Sequence, residues 1–200
     1  MSDLLRALTP VVEALDGLGV AYQIGGSVAS SVYGVPRTTM DVDLVADLRP
    51  EHVSPLVALL QDQYYISPEA IYEALHRCSS FNLIHLETMV KIDVFILRPE
   101  PYEQEAFRRS RRDTLTTEES AREFSLSSPE DIILHKLVWF RMAGEVSDRQ
   151  WSDVMGVIQV QAEALDFAYL RQWATVLGLA DLLERAIREA TEGDKIWQPN

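Results

Sequence analysis

Val20-Ala21-Tyr22-Gln23-Ile24-Gly25-Gly26-Ser27 runs from an apolar stretch into two glycines and a serine, and fifteen residues past Gly26 the chain reaches Met40-Asp41-Val42-Asp43-Leu44-Val45. The first run reads as a short strand feeding a turn. Ser27 can cap a helix over 28–33, which Gly34 and Pro36 stop. The second run alternates acidic and apolar residues, so it reads as a strand. A period of two places Asp41 and Asp43 on one face and Val42 and Leu44 on the other.

Working outward, Leu4, Leu5, Leu8, Val11, Val12, Leu15 and Leu18 recur at helical spacing until Gly17 and Gly19. Pro50 opens a second amphipathic helix through Val53, Leu56, Val57, Leu59 and Leu60. A further helix is expected over 68–77. Residues 81–86 and 89–97 read as antiparallel strands joined by a tight turn near Glu87-Thr88, and Pro99 and Pro101 end that unit. A short strand pair is expected over 113–117 and 123–126. From Pro129 the pattern turns helical, with apolar spacing around 132–140, 154–160, 167–177 and 180–190.

The expectation is therefore an α/β (α+β) protein: a small mixed-sheet core with flanking helices over 1–127, a C-terminal helical region over 128–192 and a loose tail over 193–200. At 200 residues and 47% hydrophobic content the chain can build a substantial core. No run approaches the roughly 18 apolar residues of a membrane span. Met1-Ser2-Asp3-Leu4-Leu5-Arg6 does not lead from a basic region into an apolar one, so no secretory signal is expected. The single cysteine, Cys78, excludes an intramolecular disulfide framework and fits a cytoplasmic setting.

The net charge is −13. Residues 1–100 hold 6 basic and 13 acidic side chains and residues 101–200 hold 12 and 18, so the acidity is spread as −7 and −6. Such a surface repels polyanions at long range and disfavours general nucleic-acid binding. Nucleotide held through metal, or a cationic small molecule, suits it better. The only basic cluster, Arg108-Arg109-Ser110-Arg111-Arg112, can guide a polyanion such as tRNA or can be a solvated face.

Chemistry concentrates on three carboxylates. Asp41 and Asp43, side by side on a strand face, repel each other unless a cation lies between them. Mg²⁺ suits this arrangement, because it takes one or two carboxylates, several waters and substrate phosphate oxygens. Asp93 interrupts the apolar strand Ile92-Asp93-Val94-Phe95-Ile96-Leu97, where a charge is expensive unless paired or metal-bound. Pairing to Lys91 or to an arginine is the plainer alternative. If this strand lies beside that of Asp41 and Asp43, the three acids converge and can bind two cations suited to in-line phosphoryl or nucleotidyl transfer. Gly25-Gly26-Ser27, between a strand and a helix, offers backbone N–H groups and a helix N-terminus to an anion, and reads equally as a tight turn. His135 and His76 have no metal-ligand companions at suitable spacing, and the tryptophans, mostly in the helical half, read as core.

Ile24-Gly25-Gly26-Ser27, Pro36-Arg37-Thr38-Thr39-Met40-Asp41-Val42-Asp43-Leu44 and Lys91-Ile92-Asp93-Val94-Phe95 resemble the signature of the polymerase-β-like nucleotidyltransferase superfamily. Within it the chain is similar to bacterial proteins that include abortive-infection type toxins of toxin–antitoxin pairs. The resemblance implies Mg²⁺ on Asp41, Asp43 and Asp93 (two ions) and transfer of NMP from an NTP. The resemblance, with the arginine cluster, favours tRNA or a protein as acceptor and implies an antitoxin as a further partner; the acidic surface favours instead a small molecule of aminoglycoside type, and no membrane partner is expected. A non-catalytic nucleotide-binding module on the same fold is the alternative.

The resemblance continues more weakly in Ser128-Pro129-Glu130-Asp131-Ile132-Ile133-Leu134-His135-Lys136-Leu137 and in Arg149-Gln150-Trp151-Ser152-Asp153-Val154. It matches Lys136 to a lysine facing the nucleotide phosphates and Arg149 and Asp153 to polar positions of the next helix. It places Gly25, Gly26 and Ser27 at the nucleotide. From the residues alone, Lys136 can snorkel to solvent, Arg149 and Asp153 can form a helix-surface ion pair four residues apart, and Arg37 can bind phosphate or acceptor from its loop.

Overall fold

The alternation through residues 40–45 becomes an inner strand of a seven-stranded mixed sheet in the computed structural model, which describes residues 3–116 and 121–193. In chain order the elements are α1 (Asp3–Gly17), β1 (Tyr22–Ile24), α2 (Gly26–Tyr33), β2 (Asp41–Ala46), α3 (Pro50–Leu60), β3 (Tyr64–Tyr65), α4 (Pro68–Arg77), β4 (Ser80–His85) and β5 (Lys91–Ile96). There follow α5 (Pro101–Arg108), β6 (Arg111–Thr114), β7 (Glu123–Leu126), α6 (Pro129–Met142), α7 (Asp148–Gln161), α8 (Phe167–Val176) and α9 (Ala180–Gly193). The tail expected over 193–200 lies, from residue 194 on, outside the described residues, as do residue 117 of the expected strand and Trp197.

Strand order across the sheet is β3-β4-β5-β2-β1-β7-β6. β2 is parallel to β5 and antiparallel to β1. Its Val42, Leu44 and Ala46 are fully buried, as are Ile92 and Leu83 on the neighbouring strands. That apolar side faces helices: α4 lies against β4 and β5, and α3 packs between α1 and α4. The buried Tyr64 hydroxyl donates to the Ala7 carbonyl at 2.6 Å, tying β3 to α1. The sheet edge at β6 exposes Arg111 and Arg112, charges that discourage strand addition. Two elements were not expected from the sequence. The strand pair ends before Pro99 and Pro101 as expected, but Pro101 also begins α5, because a proline without its N–H suits the first turn of a helix; β3, at two residues, is too short to show a period.

The described chain forms two compact units. One holds the chain up to Gly25 and Thr38–Leu126; the other holds Gly26–Arg37 and the chain from Ser127 onward. In the second unit α2 packs on α6 and α7, α7 also on α9, and α8 on α6 and α9. Close approach of α2 to α7 depends on two glycines. A Cβ on Gly34 would stand 2.9 Å from the Val157 nitrogen, and one on Gly156 would stand 3.1 Å from that of Val35. The start of α6 is held by side chains. Ser128 accepts from the Asp131 N–H and its hydroxyl donates to the Asp131 carboxylate, while the Tyr169 hydroxyl donates to the other Asp131 oxygen at 2.7 Å. Glu130 accepts from the Asp166 N–H, so Ser128-Pro129-Glu130-Asp131 caps and anchors a helix.

Candidate active site

In the first unit the parallel register of β2 and β5 sets Asp41 across from Lys91 and Asp43 across from Asp93. Residues in register on adjacent strands share a face, so the three acids lie together on the side opposite the core. Asn82 of β4 joins them, across from Asp93. The Lys91 ammonium stands 2.8 Å from the Asp93 carboxylate. Lys91 thus partners the costly charge in β5, the plainer alternative seen in the sequence. The hydrogen bond to Asp93 raises the Lys91 pKa above the usual lysine value; partial burial opposes this, and the charges of Asp93, Asp41 and Asp43 add to it. Among the described residues no three His, Cys, Asp or Glu side chains stand close enough together to hold a metal ion as placed. The donor chemistry nonetheless suits a hard divalent cation: the face is all carboxylate and amide oxygen, with one ammonium already attracted to it.

The glycine turn is built in two steps. The Gly25 N–H donates to the Asp43 carbonyl at 2.9 Å, continuing the pairing of β1 with β2. Gly26 has φ of 54°, a left-handed conformation that suits glycine, and begins α2. Within α2 the Ser30 and Ser31 hydroxyls donate back to the Ser27 carbonyl.

The second unit gathers Ser27, Arg37, Lys136 and Asp153. Arg37 forks onto Asp153, with Nε to Oδ1 at 2.9 Å and Nη2 to Oδ2 at 3.0 Å, and the same Nη2 donates to the Ser27 hydroxyl. The Lys136 ammonium donates to Asp153 Oδ2 at 2.7 Å. The Asp153 and Lys136 side chains are each 6% exposed, against 26% for Arg37. Burial pushes the Asp153 carboxyl up, but the hydrogen bonds and charges of Arg37 and Lys136 outweigh it and hold the carboxyl below its ordinary value. Arg149, four residues from Asp153 on α7, is exposed, and the bonds to Asp153 come from Arg37 and Lys136 instead. No local pattern signals the Arg37–Asp153 pair, whose members are 116 residues apart. The resemblance singles out Lys136 and Asp153 one by one, and a lysine on the mostly apolar run of α6 is a local hint, but neither pairs Asp153 with Arg37.

No family model matches the chain, and no curated relative matches it in sequence. Solved structures do match in fold. A nucleotidyltransferase-like antigenic protein from Paracoccidioides brasiliensis is 20% identical, with 94% of this chain and 93% of that chain covered and a TM-score of 0.55. The antibiotic-resistance factor ANT(2'')-Ia is 16% identical, with 96% of each chain covered and a TM-score of 0.51. The chain has a nucleotidyltransferase-like fold. At these identities the likeness is one of architecture, a mixed sheet with flanking helices.

Proposed function

We propose that the protein is a Mg²⁺-dependent nucleotidyltransferase that moves NMP from an NTP to an acceptor hydroxyl. The acceptor oxygen attacks the α-phosphorus, the bond to the bridging oxygen breaks, and pyrophosphate leaves with that electron pair. The observation that carries the reading is the register of β2 and β5, which puts Asp41, Asp43 and Asp93 on one face of a nucleotidyltransferase-like fold. On this reading Asp41 and Asp43 hold the metal, and Asp93 completes a second site and takes the acceptor proton. Bound divalent ions supply charge stabilisation at the attacking and leaving oxygens. With a cation bound, Asp93, which Lys91 pairs here at 2.8 Å, would be one of its ligands.

The remaining roles go to the phosphates. Gly25, Gly26 and Ser27 offer backbone N–H groups and a hydroxyl. Arg37, with the buried Lys136 behind it, offers positive charge to the negative triphosphate in the ground state and the transition state alike, with Arg149 and Asp153 as the accompanying polar positions of α7. Each of these assignments can be tested singly. Asp93→Asn is expected to keep the fold and abolish transfer of label from an α-labelled NTP; turnover at the wild-type rate would remove Asp93 from the mechanism.

The acceptor reading follows charge. A molecule of −13 attracts a cationic small molecule and repels tRNA at long range. The arginine run that favoured tRNA is partly engaged with acids, Arg108 with Glu105 and Arg112 with Glu123. Incubation with each labelled NTP, Mg²⁺ and separate pools of aminoglycosides, tRNA and protein distinguishes the acceptors. Label on an aminoglycoside supports the cationic reading. Label on tRNA or protein supports a toxin-like enzyme with an antitoxin partner, and NTP binding without Mg²⁺ dependence or label anywhere supports a non-catalytic module.

A further inference from the structure

The charged cluster of the second unit is more elaborate than a phosphate contact requires. Ser27 comes from α2, Arg37 from the loop after it, Lys136 from α6 and Asp153 from α7, and all four are linked through one carboxylate and one guanidinium. A buried ion pair of this kind adds little stability over apolar residues of the same volume, so its presence points to geometry as its use. Two parallel bonds from Nε and Nη2 fix both the position and the plane of the Arg37 guanidinium, which a single bond would leave free to rotate. The fixed guanidinium is held at Ser27, in the first turn of α2, where backbone N–H groups carry partial positive charge. Exposure then separates the roles. Arg37 at 26% is the charged group that a ligand can reach, whereas Lys136 and Asp153, both at 6%, stand behind it.

Resting on the nucleotidyltransferase reading, we infer that Asp153 is a positioning residue that locks Arg37 against the N-terminal turn of α2 as the contact for the NTP triphosphate, with Lys136 as its buried brace. Asp153 itself touches no phosphate, since its charge would oppose one.

The experiment measures the dissociation constant of a non-hydrolysable NTP analogue with Mg²⁺, together with KM and kcat, for wild type, Asp153→Asn, Arg37→Gln, Arg37→Lys and the Asp153→Asn/Arg37→Gln double variant. Asp153→Asn and Arg37→Lys are each expected to weaken binding by about tenfold or more, the latter because lysine keeps the charge but cannot fork. KM rises with the dissociation constant while kcat changes by less than about threefold. The double variant is expected to bind no more weakly than Arg37→Gln alone, because Asp153 acts through Arg37. If Asp153→Asn does not fold, Arg37→Lys carries the test by itself. Unchanged binding in the folded variants, additive losses, or a fall in kcat at constant affinity overturns the assignment while leaving the enzyme reading intact. Failure of the wild-type protein to bind the analogue overturns both.

Discussion

Asp153 is a carboxylate whose folded-state pKa lies below its ordinary value despite burial, because Arg37 and Lys136 both donate to it. The linkage has a definite sign. A carboxylate with a depressed folded pKa contributes stability in full above its unfolded value of about 4, and that contribution disappears as pH falls through the folded pKa. Removing its charge at neutral pH leaves two buried or half-buried cations without their anion, at a cost of about 3 kcal/mol or more. Urea unfolding should therefore find Asp153→Asn well below wild type at pH 7, with the gap narrowing steadily below about pH 4. A gap independent of pH would mean that the carboxylate charge contributes nothing to the fold. At this scale the sequence was informative about single residues and silent about partners. It marked Asp93 as a charge in an apolar strand, and Lys91 proved to be its partner. It could not pair Arg37 with Asp153, since side chains so distant in sequence share no periodicity.

Among elements, the contact of α2 with α7 controls where Ser27 and Asp153 are presented, since each helix carries one of them. The backbones approach so closely at Gly34 that an added Cβ would meet the Ser30 carbonyl and the Val157 nitrogen at 2.9 Å, neither of which can move like a flexible side chain. Gly34→Ala is expected to destabilise the protein by about 2 kcal/mol. Gly17→Ala, at the end of α1 with nothing within 4 Å of the new Cβ, should be neutral or slightly stabilising. Thermal unfolding of the two variants side by side checks the contrast, and equal midpoints would remove the close-packing account. Elements with a clear period or a proline start, such as β2 and α3, were legible in the sequence. Gly34 looked like a simple helix stop, and its packing role depends on a helix more than a hundred residues away.

For the whole molecule, charge is the property most open to measurement. The acidity is spread evenly along the chain, so its field favours cationic acceptors in general rather than one tail-bound partner. Salt screens such attraction over a Debye length of about 8 Å at physiological ionic strength. For an aminoglycoside acceptor KM should rise as NaCl is increased from about 50 to about 500 mM, with little change in kcat. A KM that does not move with salt would exclude long-range attraction from acceptor recognition.

Alternating residues and helical spacing determined the element types, because each follows from which face of a strand or helix must leave water. They also determined that Asp41 and Asp43 share a face, since that is a property of one strand's pleat. Only the tertiary structure decided that β5 pairs with β2 in the register that sets Asp93 beside Asp43, and that Asp153 serves Arg37 and Lys136 instead of Arg149. Both depend on which segments meet after the chain has folded, and local periodicity does not encode a meeting between distant segments.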